Sequence, residues 1–383
     1  MRMNIITSLP FMPKKSTPSV QQEVIMNHRM SIRMAVLWLA VMMFFSGTKA
    51  VFASEKRLKV VTTLSNYAFV AQFIGGDNVD VTYIGDGDVD PHFVKPKPSY
   101  AVLIKNADLF ISTGLDLELW EPPLLARAGN PRVMPGNPGY LGVAAGITLL
   151  EKPATASREM GDIHIYGNPH VYVSPWLMKR VAENIHTGLV QLDPAHKGTY
   201  DRNLERFKYE IDRRLFGETL VKMFGGELLD RLVASGKIFS FLENRSYKGR
   251  RLIDYLGGWF KTAQVFRGKK IVCYHKNWIY FTTLFGLKIL DYVEPKPGIP
   301  PSPRHVSELI ERMKRENVHV LLAAKYFDRN KVMTVAERSG AIPVIVPMGV
   351  DKKYRTYFDV VDLWVNSLAE AYQQAAETSS PAS

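Results

Sequence analysis

Three histidines sit in short, turn-rich or strand-end contexts far apart in the chain: Asp90-Pro91-His92, Asn168-Pro169-His170-Val171-Tyr172 and Ile271-Val272-Cys273-Tyr274-His275. Imidazole is a borderline nitrogen donor, and three neutral rings converging on one point make a strong site for a divalent cation such as zinc. No two of the three lie close enough in sequence to form a local metal finger, so the tertiary fold must bring them together. Three histidines with an open fourth position are also the plan of a catalytic zinc centre, in which bound water becomes the nucleophile. Such a hydrolase would need an acid or base beside that water, and the chain carries no His-Glu-x-x-His motif.

The elements around these residues alternate. Leu58–Leu64, Val79–Ile84 and Ala107–Ser112 read as strands by their β-branched and apolar content, with a helix ending at Gly75-Gly76 and another starting at Ser99. The second half repeats this rhythm, with strands near 270–275, 287–293, 318–323 and 342–346 and helices over 303–316, 329–338 and 356–376. Short strands alternating with helices imply parallel sheets built from βαβ units. Between the halves, Leu177 to Leu192 has helical apolar spacing, Pro194 permits a kink or fresh start, and the pattern resumes through Leu204, Phe207 and Ile211. In open parallel sheets, ligands bind beyond the carboxyl ends of the strands. His92 follows the second strand after the loop Gly85-Asp86-Gly87-Asp88-Val89-Asp90, His275 ends a strand, and His170 precedes the long helical region. The expected division is an extension and signal peptide over 1–53, an N-terminal lobe over 54–175, a linking helix over 176–214 and a C-terminal lobe over 215–378.

The N-terminus indicates export. Arg29 and Arg33 precede an uncharged apolar run, Met34 to Phe45, which is followed by small residues ending Val51-Phe52-Ala53-Ser54. This three-part pattern is that of a secretory signal peptide cleaved after Ala53, and the run is too short to span a bilayer. Cys273 is the only cysteine, so no intramolecular disulfide forms and no thiol stands at the cleavage point to take a lipid. A periplasmic protein without stable membrane insertion is the expectation. Removing residues 1–53 takes six Lys/Arg and one Glu from the total, leaving 43 basic and 36 acidic residues, net +7. Those charges are interspersed, without a basic block interleaved with aromatics, which argues against nucleic-acid binding.

The ordered set of motifs resembles the metal-binding receptors of zinc and manganese ABC importers, the cluster A-I solute-binding proteins. It comprises Asp90-Pro91-His92 with Pro96-Lys97-Pro98-Ser99, Gly167-Asn168-Pro169-His170-Val171-Tyr172-Val173-Ser174-Pro175, Tyr274-His275, Glu294 to His305, and Tyr326-Phe327-Asp328. The likeness covers essentially all of residues 58 to 375. It implies an α/β fold of two lobes with mainly parallel four-stranded sheets flanked by helices, joined by a long rigid helix, with the metal in the cleft between lobes. It carries the three ligands onto His92, His170 and His275, the first two from the N-terminal lobe. It implies a monomeric receptor that hands zinc, or alternatively manganese or ferrous iron, to a membrane permease driven by a cytoplasmic ATPase. A stand-alone metal buffer or adhesin is the remaining alternative.

The fourth ligand is where the chain departs from that pattern. Many relatives place a carboxylate just after the strand corresponding to Ala341–Val346, but here the place reads Val346-Pro347-Met348-Gly349-Val350, and the first acid is Asp351. Asp351 completes the shell if its loop folds back. Otherwise water, Asp90 or another carboxylate does. His164 reads as a loop histidine at the cleft rim, with accessory ligation as its alternative. His186, His196, His305 and His319 read as helix or strand residues, and the proline-rich Glu294–Pro303 segment reads as a stiff loop bracing the cleft or pairing Glu294 with Arg304 across the lobes.

Overall fold

The first described strand is β1 (Leu58–Leu64), in which Val60 to Leu64 are all buried, the pattern of a central parallel strand covered on both faces. Helix α1 (Ser65–Gly75) crosses over to β2 (Val79–Gly85). Then α2 (Pro98–Lys105), β3 (Leu109–Ser112), α3 (Glu121–Ala128) and the short β4 (Tyr140–Gly142) complete the first lobe. The sheet order is β2-β1-β3-β4 with every pairing parallel. Strand β4 has three half-buried residues in a Gly/Pro-rich stretch, too short to carry the β-branched and apolar content that marked the others. The structure, a computed structural model, describes residues 57–153, 164–296 and 298–379. The expected signal peptide and its cleavage point lie outside the described residues.

Residues 176–214 are two helices rather than one linking helix. Helix α4 (Pro175–Leu192) stops at Asp193, and Pro194 opens a single 3-10 turn before α5 (Lys197–Phe216) runs back along α4. The reversal shows in the cross-helix pairs His186 with Asp201 at 2.7 Å and Lys179 with Asp212 at 2.6 Å. Proline lacks the N–H that would continue α4 and pushes the residue before it out of the helical region. Asp193 accordingly sits at φ −141°, ψ 70°. Helix α5 bridges the lobes, packing on α1 and on the helices Glu218–Ala234 and Gly258–Ala263 beyond it.

Beyond α5 come α6 (Glu218–Ala234), kinked at Gly225, then α7 (Ile238–Glu243) and a two-stranded antiparallel hairpin of β5 (Ser246–Tyr247) and β6 (Arg250–Arg251). Helix α8 (Gly258–Ala263) leads into the second sheet, built from β7 (Lys270–Cys273), β8 (Lys288–Tyr292), β9 (Val320–Ala324) and β10 (Ile342–Val346). Its helices are α9 (Ile279–Phe285), α10 (Pro303–Arg315), α11 (Arg329–Ser339) and α12 (Tyr357–Ser379). The order is β10-β9-β7-β8, again all parallel. Cys273 is fully buried in β7, where burial pushes its thiol well up and leaves it unreactive.

The largest of three apolar clusters among the described residues runs through both lobes, from Val60 and Ile111 across Phe207 and Phe216 to Trp278 and Trp364. At its waist Phe358 of α12 packs on Phe69 and Phe73 of α1 and on Phe207 of α5, with ring centroids 5.4, 6.2 and 5.7 Å apart. A shared core of this kind resists wide hinge motion, because opening it exposes apolar surface at about 25 cal/mol per Å².

The loops also meet directly on one flank of the cleft. Gly87 N–H donates to Val350 O at 3.0 Å, and Met348 N–H donates back to Gly87 O at 2.9 Å. Asn66 bridges the same backbone, donating to Met348 O and accepting from Val350 N–H, both at 3.0 Å. Gly87 has no room for a side chain, since a Cβ would collide with the backbone of Gly349. We expect Gly87→Ala to lower unfolding stability by about 1–3 kcal/mol, as overpacking against fixed backbone does, with urea denaturation as the measurement.

Candidate metal centre

His92 follows β2 and His170 precedes α4 in the first lobe, His275 follows β7 in the second, and their rings meet. Each offers one ring nitrogen, and the three atoms lie within 4.8 Å of one another. Ring centroids are 5.1 Å apart for His92–His170, 5.7 Å for His92–His275 and 6.1 Å for His170–His275. All three are buried, at 6%, 1% and 3% exposure, so any ion among them is shielded from water.

Local sequence orients each ring. Asp90 caps the turn Pro91–Phe93 by accepting the His92 backbone N–H at 3.0 Å, and the same oxygen takes His92 Nδ1 at 2.7 Å. Asn168 repeats the device at His170, accepting both the backbone N–H and Nδ1 at 3.0 Å. His275 lies two residues past β7, and Glu294 lies two past β8. The parallel pair Cys273–Tyr292 and the bond Glu294 N–H to Tyr274 O (2.7 Å) set them side by side. Glu294 Oε1 is 3.3 Å from His275 Nδ1, too oblique for a hydrogen bond. In His92 and His170 the acceptor at Nδ1 fixes the tautomer that leaves the Nε2 lone pair free. In His170 that Nε2 is buried and has no partner among the described residues, an orphaned acceptor aimed at its neighbours.

Asp351 does not join this group. Its Oδ1 accepts the N–H groups of Lys353 and Tyr354 at 2.7 and 2.6 Å, and its own N–H donates to Tyr354 O, so the carboxylate closes its own turn. Glu294 does not pair with Arg304 either; Arg304 reaches Glu308 one turn along α10 at 2.7 Å. The residue that sequence reasoning placed at the rim is the one that moves inward. His164 Nε2 is 3.1 Å from His92 Nε2, and its ring centroid lies 5.2 Å from His92 and 5.9 Å from His170. Its position six residues before His170, after a loop with no helical or strand pattern, was the only signal available.

Burial first, then the charges of His92 and His275, hold the His164 imidazole down at about 3 against its ordinary 6.5, and burial holds His170 well below as well. Both rings are therefore neutral donors throughout the physiological range. For a group depressed by folding, the unfolded chain takes up the proton first as pH drops below 6.5, so stability is lost on acidification. Glu121, which burial pushes up to about 7, acts in the opposite sense over the same window, so the comparison must be between variants. We expect the stability of metal-free wild type to fall relative to His164→Gln by up to about 1.4 kcal/mol per pH unit below pH 6.5, read by urea unfolding at stepped pH.

Two α/β lobes sharing one core, with buried imidazoles gathered between the carboxyl ends of their sheets, define a two-lobed solute-binding architecture. The chain belongs to the family described as ZnuA, zinc-uptake complex component A, periplasmic, whose model matches residues 60–214 and 251–371. It is 26% identical over 326 residues to the iron ABC transporter substrate-binding lipoprotein MtsA of Streptococcus pyogenes serotype M1, covering 83% of this chain and 88% of that protein. The high-affinity zinc uptake system protein ZnuA of Bacillus subtilis is 24% identical over 290 residues, 74% of this chain and 76% of that protein. The crystal structure of a zinc-bound ZnuA deletion mutant superposes with a TM-score of 0.60 at 21% identity, covering 83% of this chain and 98% of that one. Among the described residues, no helix is long and apolar enough to cross a membrane.

Proposed function

We propose that this chain is the periplasmic receptor of a zinc ABC importer, and that it binds its cargo through Nε2 of His92, His170 and His275, with His164 as the fourth donor in place of a carboxylate. The observation that carries this reading is the set of acceptors behind the rings. Nδ1 of His92 is bonded to Asp90 and Nδ1 of His170 to Asn168, which leaves their Nε2 atoms to face His275, whose Nδ1 has Glu294 beside it at 3.3 Å. The carboxylates of Asp90 and Glu294, beside His92 and His275, supply the negative charge that neutral imidazoles do not. An ion with an all-imidazole shell is zinc rather than manganese, whose preference is for carboxylate and water.

The same geometry favours capture over catalysis. A fourth imidazole fills the position that a hydrolytic zinc site keeps open for water, and Asp90 and Glu294 are turned to the histidines rather than to a substrate. A monomer released by cleavage after Ala53 and docking on a permease with its ATPase fits the family, with lobes over 54–175 and 215–378. Metal analysis and X-ray absorption of the purified exported protein test the reading. Four nitrogen donors near about 2.0–2.1 Å and preference for zinc over manganese are expected. A shell of mainly oxygen ligands, or tighter manganese binding, would overturn it. A neighbouring permease and ATPase gene pair separates an importer receptor from a buffer.

A further inference from the structure

The family match leaves out residues 215–250, yet that stretch is built rather than loose. Leu220, Leu229 and Leu242 are fully buried in the main core, and Phe224 of α6 meets Phe241 near the end of α7 at 5.6 Å. Lys179 and Trp176 of α4 both bond to Asp230 of α6, at 2.5 and 3.1 Å, which anchors the segment to the helical hairpin. The segment ends in a projecting β-hairpin whose four strand residues are all exposed, and the positive φ angles of Lys248 (49°) and Gly249 (75°) form its two-residue turn.

The charge of this region is one-sided. Residues 215–270 hold eleven Lys/Arg against five acids, net +6, while the exported chain as a whole is only +7. Residues 237–251 hold five Lys/Arg and a single acid, Glu243, which is already paired with Arg267. Among the described residues, Arg245, Lys248 and Arg250 have no carboxylate partner, and Arg251 has only Asp254, at 3.6 Å. Each of the first three instead lies over an aromatic ring: Arg245 on Phe241 (5.3 Å), Lys248 on Tyr247 (5.3 Å) and Arg250 on Tyr255 (4.8 Å). Tyr247 is 47% exposed at the tip.

We propose that the hairpin Ser246–Arg251, with Arg245 at its base, docks on an anionic phospholipid surface. Cations stacked on rings present an apolar body with a charged head, the amphipathic form that settles at a headgroup boundary. A lattice of phosphates asks for no shape complementarity and suits long side chains on a two-residue turn. A protein partner would require an apolar centre and a polar rim, and a two-plus-two-residue hairpin offers no such core. The surface acts independently of the metal centre, so the two readings fail separately.

Sedimentation with vesicles tests this, using the exported chain with phosphatidylglycerol–phosphatidylcholine mixtures and with pure phosphatidylcholine. Binding to the anionic vesicles alone is expected, weakening with added salt. Each cation at the surface contributes about fivefold at low ionic strength, so R245Q/K248Q/R250Q/R251Q, which removes four, should bind at least about 100-fold more weakly while keeping its zinc affinity. Equal binding to neutral vesicles, absence of binding to anionic ones, or unchanged binding of the quadruple variant would overturn the proposal. So would charge-dependent binding to native membranes that disappears when their proteins are removed by protease, which would place an acidic protein there instead.

Discussion

His275→Ala is expected to lower zinc affinity at least about 100-fold while leaving the metal-free fold in place. Loss of a partner behind a metal-binding histidine commonly weakens affinity about 10–100-fold, and removing the donor itself does more. His275 is the histidine of the cluster from the second lobe, so without it the remaining donors hold the ion from one side only. The change also leaves Glu294 partly buried beside a cavity, although the N–H of Gly298 still reaches its Oε1 at 3.3 Å. The lobes themselves stay joined through the shared core and the Gly87–Val350 bonds, neither of which involves His275. Isothermal titration or competition with a chromophoric chelator measures the affinity, and circular dichroism checks the fold. Unchanged affinity would sink the assignment. Glu294→Gln tests the carboxylate separately, with an expected loss of about tenfold.

Lys179→Ala is expected to destabilise the protein by about 3–5 kcal/mol. Lys179 is 5% exposed, and its ammonium bonds to Asp212 Oδ1 at 2.6 Å and Asp230 Oδ2 at 2.5 Å. Truncation leaves Asp212, itself buried, and Asp230 facing each other without a cation, and a stranded buried charge outweighs the modest net value of the pair. Burial already pushes the Asp212 carboxyl up to about 6 against the pull of Lys179, so in the variant it takes up a proton more readily. Urea denaturation measures the loss. Adding Asp212→Asn to the alanine variant should recover part of it, because one of the two stranded charges is gone; no recovery would mean that the lysine acts through packing alone. The effect falls on α4, α5 and α6 together, and so on the element that bridges the lobes.

Parallel α/β lobes were legible because Val320–Ala324 is a continuous apolar run and Val60–Leu64 is dense in β-branched residues, the compositions of strands buried on both faces. The helix starts were legible too, since Ser174-Pro175 and Ser302-Pro303 each pair a capping side chain with a proline that suits the first turn. Strand β4 and residues 216–265 were not, because short, turn-rich elements are held by tertiary contacts rather than by periodicity. The reversal at Pro194 stood between the two: the proline marked a break, but its direction depends on α4 and α5 packing face to face.

The chain's own chemistry determined which imidazoles to consider, because Asp90-Pro91-His92 and Asn168-Pro169-His170 each place an acceptor two residues before the ring it will orient. Tertiary structure alone decided the fourth place. Asp351 was the nearest acid by position, but the two N–H groups of its own turn satisfy it, and a local partner at 2.6–2.7 Å outcompetes a site across the cleft. His164 and Glu294 arrive beside His92 and His275 because a loop and a strand register put them there, and distance in space between such residues is not written in their spacing along the chain.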